Sequence, residues 1–438
     1  MNRLTQFIVP LALVFTTLCC SGNPYRDAGT EPSVNPGGQT QEEKEKEPSR
    51  PPVENLALPE NPQAISEAMA LGWNLGNQLD AISGGVSNET CWGNPRCTQA
   101  TFYGIKDAGF TSVRIPVTWM GHMGGAPSYQ VEEAWMNRVY EVVQYARNAG
   151  LYVIINTHHD ENHGNDHWLD IKNASEDSAL NEAIKQQIKA LWTQIAVKFA
   201  DCGNWLVMEG FNELNDGGWG WSQDFRANPM KQGAILNEWN QVFVDAVRAT
   251  GGNNATRWLG VPTYCANPSF EQYLTLPADP RLMLSVHFYD PSDYTIGDKQ
   301  YSDWGHTGAV GKKAQGSDED HVNSVFNNLK TKYVDKDIPV YVGEFGCSMR
   351  SKADSRAWAF YLYYLEYVVK AAKEYGMPCF LWDNGVAGAG KEHHGYLDHG
   401  TGDYISYSKD PIDVMVKARF TKDASYTLQS VYDSAPKF

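Results

Sequence analysis

The stretch LVMEGFNELND, residues 206–216, drives an apolar run into two glutamates, an asparagine and an aspartate. Turn residues normally close a strand, so carboxylates at that point need a reason. A third carboxylate, Glu344, sits in another apolar run, PVYVGEFG at 339–346. Two carboxyls facing each other across a cleft can cleave a glycosidic bond. One protonates the leaving oxygen and the other attacks the anomeric carbon. That division requires one group protonated and the other ionised, hence different surroundings.

Strand geometry separates the two neighbouring glutamates. In extended chain, residues 209 and 213 share a face and lie roughly 13 Å apart. Glu213 then stands at the strand's end and Glu209 well inside, where a carboxyl needs partners or a proton. We expect Glu209 to be architectural and Glu213 to be functional. Arg114, in SVRIPVTW, is placed to hold Glu344 ionised, and Tyr289 to hydrogen-bond it. Asn212 beside Glu213 suits a sugar 2-hydroxyl, a contact that strengthens in the transition state.

The elements that must position these groups form a repeating pattern. Strand candidates lie at 71–77, 112–119, 151–159, 205–213, 257–264, 282–289, 339–346 and 378–385. Amphipathic helical patterns such as 132–150, 179–200 and 356–376 separate them, several ending in glycine. Near-continuous apolar strands alternating with helices predict a parallel sheet covered by helices. Eight such units predict an α/β chain folded as a (β/α)8 TIM barrel with long loops at the C-terminal face of its strands. An open doubly wound sheet is the alternative, but GWNLGNQLD lacks the glycine spacing of its phosphate turn. The polar residues fall at the strand ends: Asn77, His158, His159, Asn212, Glu213, His287, Tyr289, Glu344 and Trp382. In a barrel those ends converge on one mouth, where active sites lie.

The remaining sequence bounds the setting. The chain has 438 residues and a net charge of −16, which argues against a nucleic-acid partner. Its 14 Trp and 23 Tyr are numerous enough to serve both packing and sugar stacking. Residues 1–20 read as an export signal, with an apolar stretch at 7–18 that is too short to span a bilayer. Cys20 is the expected lipid-attachment site, making the protein an outer-membrane-anchored lipoprotein; an ordinary secretory signal is the alternative. Residues 21–60, rich in Pro, Glu and Lys, read as a solvated tether, with the catalytic barrel at 61–438. Six cysteines follow, and Cys91 with Cys97 could close a small loop, although pairing cannot be read from sequence.

These residues resemble glycoside hydrolase family 5, within the retaining barrel hydrolases of clan A, over essentially all the sequence from about residue 61 to the last strand. Asn212-Glu213 matches the acid/base signature and Glu344 the nucleophile. Arg114, His158, Asn212, His287, Tyr289 and Trp382 match the family's other active-site positions. GWNLGNQLDA, ETCWGNPRCT, AGFTSVRIPVTW and NTHHD are similar to subfamily 4, in which a second histidine, here His159, follows the first. Leu214 departs from the proline usual after the acid. The resemblance implies a retaining endo-β-1,4-glucanase, acting on xyloglucan, mixed-linkage glucan or cellulose-like chains, with no cofactor. A mannanase on the same barrel and a non-catalytic glycan-binding lipoprotein are the alternatives.

Two stretches invite other readings. HHDENHGNDHW at 158–168 has metal-ligating residue types, but only His158 and His159 end a strand, so no metal is expected. Both histidines are expected to bind sugar hydroxyls. GGWGWSQDF at 217–225 offers Trp219 and Trp221 as stacking platforms, and alternation predicts that one faces the groove while the other packs. Trp92, Trp168 and Trp304 are further loop candidates, and Trp382 is expected to form a floor under the sugar. The expected partners are a β-glucan polysaccharide and, through the anchor, a membrane; a monomer is expected.

Overall fold

A computed structural model describes residues 50–51, 53–161, 167–297 and 301–438. The signal, Cys20 and most of the tether lie outside the described residues, as does part of the histidine-rich loop, 162–166. Eight parallel strands close a barrel: β1 Leu71–Leu75, β2 Ser112–Ile115, β3 Tyr152–Asn156, β4 Leu206–Glu209, β5 Leu259–Pro262, β6 Leu282–Phe288, β7 Val340–Phe345 and β8 Cys379–Asp383. Each pairs with its neighbours in sequence, and β1 closes the ring against β8. This is the (β/α)8 barrel that the alternation of elements predicts.

Helices α1 Gln99–Asp107, α2 Glu133–Asn148, α3 Ser178–Lys198, α4 Pro229–Arg248, α5 Glu319–Lys332, α6 Ser355–Glu374 and α7 Lys409–Phe420 wrap the strands. Helix α2 buries Trp135, Met136, Val139, Val142, Val143 and Ala146, an apolar stripe at spacings of three and four. Asp177 caps α3 by accepting the Ala179 and Leu180 N–H groups, and Asp354 caps α6 through Ala357 N–H. One expected unit differs. Between β5 and β6 the described chain has only 3-10 turns, Tyr264–Ala266 and Pro268–Tyr273. Prolines at 262, 268 and 277 leave too short an uninterrupted run for an α-helix.

Strand alternation sorts the two faces of the barrel wall. Val153 and Ile155 join the outer core under the helices, whereas Ile154 points inward. There it meets Val207, Trp258, Met283, Tyr341 and Phe380, closed from below by Leu58, Ile65 and Met69. Full burial of such side chains contributes about 1.5–3 kcal/mol each. Leu58 therefore belongs to the folded unit, three residues before the predicted start at 61. Trp258 Nε1 donates to Pro59 O at 3.4 Å, and the Leu58 N–H donates to Asn204 O at 3.2 Å, fixing this plug to the barrel base.

Candidate active site

The middle of the barrel is polar and densely hydrogen-bonded. Arg114, fully buried on β2, donates Nε to Glu209 (2.7 Å), Nη1 to Glu344 (2.7 Å) and Asn74 (3.1 Å), and Nη2 to Asn212 (2.8 Å). Charge-assisted bonds in a fork of this kind fix both distance and orientation. Glu209 also accepts from Asn156 Nδ2 (3.1 Å), Ser285 Oγ (2.5 Å) and Tyr341 OH (2.8 Å). Gly260 makes room for that last contact, since a Cβ there would lie 2.2 Å from the Tyr341 hydroxyl. Glu209 is architectural, as expected. The strand reasoning behind that expectation is corrected in one respect: β4 ends at Glu209, so Glu213 stands in the following loop rather than on the same strand face.

Glu344 reaches the same interior through a defect in pairing. β6 and β7 match Val286 to Val342 and then His287 to Glu344, leaving Gly343 unmatched. Such a bulge re-aims the side chains that follow it. Tyr341 and Glu344, three residues apart, would face opposite sides of a regular strand, yet both bond to groups inside the barrel. Tyr289 OH donates to Glu344 Oε2 at 3.1 Å, and His158 Nε2 lies 4.0 Å from Oε1. His287 Nδ1 lies 2.5 Å from Glu213 Oε1 and 3.6 Å from Glu344 Oε2. One carboxylate oxygen of Glu213 and one of Glu344 lie within 4.8 Å of each other.

Burial dominates the titration of the site. It pushes Glu344 above the usual carboxylate range, with His287 and Arg114 pulling it back and Glu213 adding to the rise. Arg114 thus offsets the burial of Glu344 without reversing it. Burial lowers His287 to about 4 and His158 well below its ordinary value, so both imidazoles are neutral at pH 7. The Tyr289 hydroxyl is raised well above the phenol range, chiefly by burial, and remains a donor. His159 behaves differently. Burial lowers it, but Glu161, Asp80 and Glu344 outweigh that and raise it to about 9.

The remaining expected residues divide into those the structure brings to the mouth and those it does not. The Trp382 ring is half-buried and stacks on His158, with centroids 5.7 Å and planes 6° apart. His159 packs edge-on against His158, and the exposed Trp92 ring lies 5.6 Å from His159. Asn212 gives its oxygen to Arg114, leaving its amide N–H groups to donate elsewhere. Asn77 occupies the turn after β1 at φ 55°, its N–H bonded to Asp80. The β1 residue that joins the polar layer is Asn74, which the sequence reading missed. Asn156, Ser285 and Tyr341 were also missed. Their signal was strand parity with the apolar residues below them.

Trp219 and Trp221 are 41% and 76% exposed, so the predicted alternation between groove and core is wrong here. The segment is a turn rather than a strand: Trp219 has φ 52°, and Asn215 Oδ1 accepts both the Gly217 and Trp219 N–H groups. Trp304 is buried against Tyr363, Tyr364 and Tyr367 rather than offered at the mouth. Trp168 is half-buried and donates to Asp160. The six described cysteines are all free thiols. Arg138 and Glu89, not a disulfide, close the 91–97 loop, both bonding to Cys97 backbone.

Among the described residues, two groups could be asked to hold a metal: Asp80, His158 and His159, and Glu213, His287 and Glu344. Asp80 already accepts the Asn77 and Gln78 N–H groups, one on each oxygen. Glu213 and His287 share a direct hydrogen bond. Both sets thus take part in hydrogen-bonded networks.

Comparison with known proteins agrees with this geometry. The family described as Cellulase (glycosyl hydrolase family 5) matches residues 79–388. The chain is 52% identical to a broad-specificity endoglucanase of subfamily 4 from Bacteroides salanitronis, with a TM-score of 0.80, covering 84% of this chain and 99% of that one. A Bacteroidetes-affiliated family 5 cellulase linked with a polysaccharide utilization locus aligns with a TM-score of 0.82 at 44% identity, covering 86% of this chain and 98% of that one. A xyloglucan-specific endo-beta-1,4-glucanase of Bacteroides ovatus is 36% identical over 337 residues, 73% of this chain and 64% of that protein.

Proposed function

The chain belongs to glycoside hydrolase family 5, and we propose that it is a retaining endo-β-1,4-glucanase whose mouth cleaves β-glucan with Glu213 and Glu344. Glu213 protonates the leaving glycosidic oxygen while Glu344 attacks the anomeric carbon and forms a glycosyl ester. Glu213, now a carboxylate, takes a proton from water as the water opens that ester. The observation that carries this reading is that one carboxylate oxygen of Glu213 and one of Glu344 lie within 4.8 Å of each other. Retaining pairs stand about 5–5.5 Å apart, whereas inverting pairs leave about 6.5–9.5 Å for a water.

The neighbouring groups support the division of roles. Arg114 and Tyr289 each hold one oxygen of Glu344, which fixes the carboxylate for attack. The neutral His287 shares a single proton with Glu213 across their 2.5 Å contact, keeping it close to the acid. Asn212 donates to the 2-hydroxyl, His158 and His159 bind hydroxyls on the nonreducing side, and Trp382 floors the sugar beside the scissile bond. Asn77 is a further substrate-binding candidate near the mouth, and the exposed Trp219 and Trp221 rings are stacking platforms for more distant sugars.

For substrate, we favour unbranched mixed-linkage glucan and xyloglucan together over a single specialised polymer. Likeness to a broad-specificity endoglucanase and to a xyloglucan-specific one supports that breadth. Export and lipid attachment at Cys20 rest on the sequence of the first 20 residues. Initial rates on tamarind xyloglucan and barley β-glucan, with Glu344→Ala as control, test the activity. Both polymers should be cut. If neither outpaces the control, mannan cleavage or glycan binding replaces this reading.

A further inference from the structure

Glu209 is fully buried beneath the mouth and receives four donors, Arg114 Nε, Asn156 Nδ2, Ser285 Oγ and Tyr341 OH. Arg114 therefore carries one positive charge between two carboxylates, Glu209 on its Nε and Glu344 on its Nη1. A structural anchor needs only the hydrogen bonds, but this carboxylate also takes up part of the field that Arg114 would otherwise direct at Glu344. We propose that Glu209 is a positioning residue that sets the basicity of Glu344 through Arg114. It pins one edge of the guanidinium so that the other meets Glu344, and it keeps the buried layer net negative. The inference rests on Glu344 being the nucleophile.

The charges facing the pair come from each neighbouring strand. Glu344 meets Arg114 from β2, His158 from β3, Glu213 beyond β4, and His287 and Tyr289 from β6 and its end. His158 and His287 are held neutral by burial. His159 is a second cation nearby, but Asp80 and Glu161 lie 3.7 and 3.8 Å from its nitrogens and balance it. Arg114 is left as the cation bonded to both carboxylates. Removing the charge of Glu209 leaves Glu344 facing Arg114 alone, which favours its ionised form and moves its titration to lower pH.

Glu209→Gln makes that change with little steric cost. Its amide oxygen can face Arg114 and Asn156, while the Ser285 and Tyr341 hydroxyls turn to accept from its N–H groups. The readout is kcat/KM against pH on an aryl β-cellotrioside whose leaving group needs no acid, so that the acidic limb reports Glu344. In Glu209→Gln that limb should fall by about one pH unit, with about a tenfold loss at the optimum. Glu209→Asp keeps the charge and should keep the limb in place even as the rate drops. A folded Glu209→Gln with the wild-type limb overturns the proposal, as does a Glu209→Asp limb displaced to lower pH, which also decides the matter if Glu209→Gln fails to fold. Failure of a 2-deoxy-2-fluoro-β-cellobioside to label Glu344 in the wild type would instead remove the nucleophile assignment beneath it.

Discussion

At the base of the barrel the inward residues are Ile154, Val207, Met283 and Phe380, sealed by Leu58, Ile65 and Met69. A few residues higher, the barrel wall presents Arg114, Asn156, Glu209, Ser285 and His287, all buried and all polar. Those apolar side chains contribute through area removed from water, and the buried Ser112 hydroxyl beside them donates to Met69 O. Each inward position in the upper layer desolvates a polar group and must return a hydrogen bond for it. The base can relax around a substitution by losing stability alone. The upper layer holds charges whose partners are shared, so a substitution there changes chemistry before it changes the fold.

This contrast can be broken or sharpened by substitution. The largest effect is expected at the mouth, where Glu344→Ala should lower the initial rate on barley β-glucan by about 10⁴-fold or more. Its Tm should stay within a few degrees of wild type, because Arg114 keeps Glu209 and Asn212. At the base, Phe380→Ala should cost about 3–5 kcal/mol in urea unfolding, with kcat/KM at 25 °C unchanged in the folded fraction. A base substitution that removed activity without lowering stability would dissolve the distinction.

Between the two layers, Gly343→Ala would place a Cβ 3.2 Å from both His287 Nε2 and Ser285 Oγ. A loss of about tenfold in kcat/KM is expected there, against a stability change of about 1 kcal/mol. His394 gives a test by pH. Burial, with Arg350 and His393 adding to it, lowers this histidine to about 3. A depressed histidine favours the folded state above its unfolded pKa of about 6.5. That contribution is lost as pH falls from there toward about 3. Tm should therefore drop across that window, and His394→Gln should flatten the drop. The smallest effect is expected at the exposed Trp221, where Trp221→Ala should raise KM for polymer a few-fold with kcat and Tm unchanged.

The barrel and its two carboxylates were legible because they obey local rules. Apolar runs alternate with 3.6-residue patterns, and polar residues collect near the strand ends, so Glu213, Glu344 and Tyr289 could be named as candidates at the mouth from sequence. What was missed depends on register. The bulge at Gly343 that turns Glu344 inward leaves no mark in composition, because a one-residue shift in pairing is set by the neighbouring strand. Asn74, Asn156 and Ser285 are short polar residues whose role appears only when three strands bring them to one guanidinium or one carboxylate. Trp219 and Trp221 were misread by applying strand alternation to a turn, and Trp304 because a loop position was taken as exposed.

The central claim is that Glu344, held by Arg114 and Tyr289, is the group that becomes covalently bound while Glu209 stays behind it. Incubating the enzyme with an activated 2-deoxy-2-fluoro-β-cellobioside, followed by intact mass and peptide mapping, tests it most directly. The account predicts one glycosyl unit per chain, in ester linkage on Glu344. A label on Glu209 or Glu213, or no label together with an inverted anomer in the product, would contradict it.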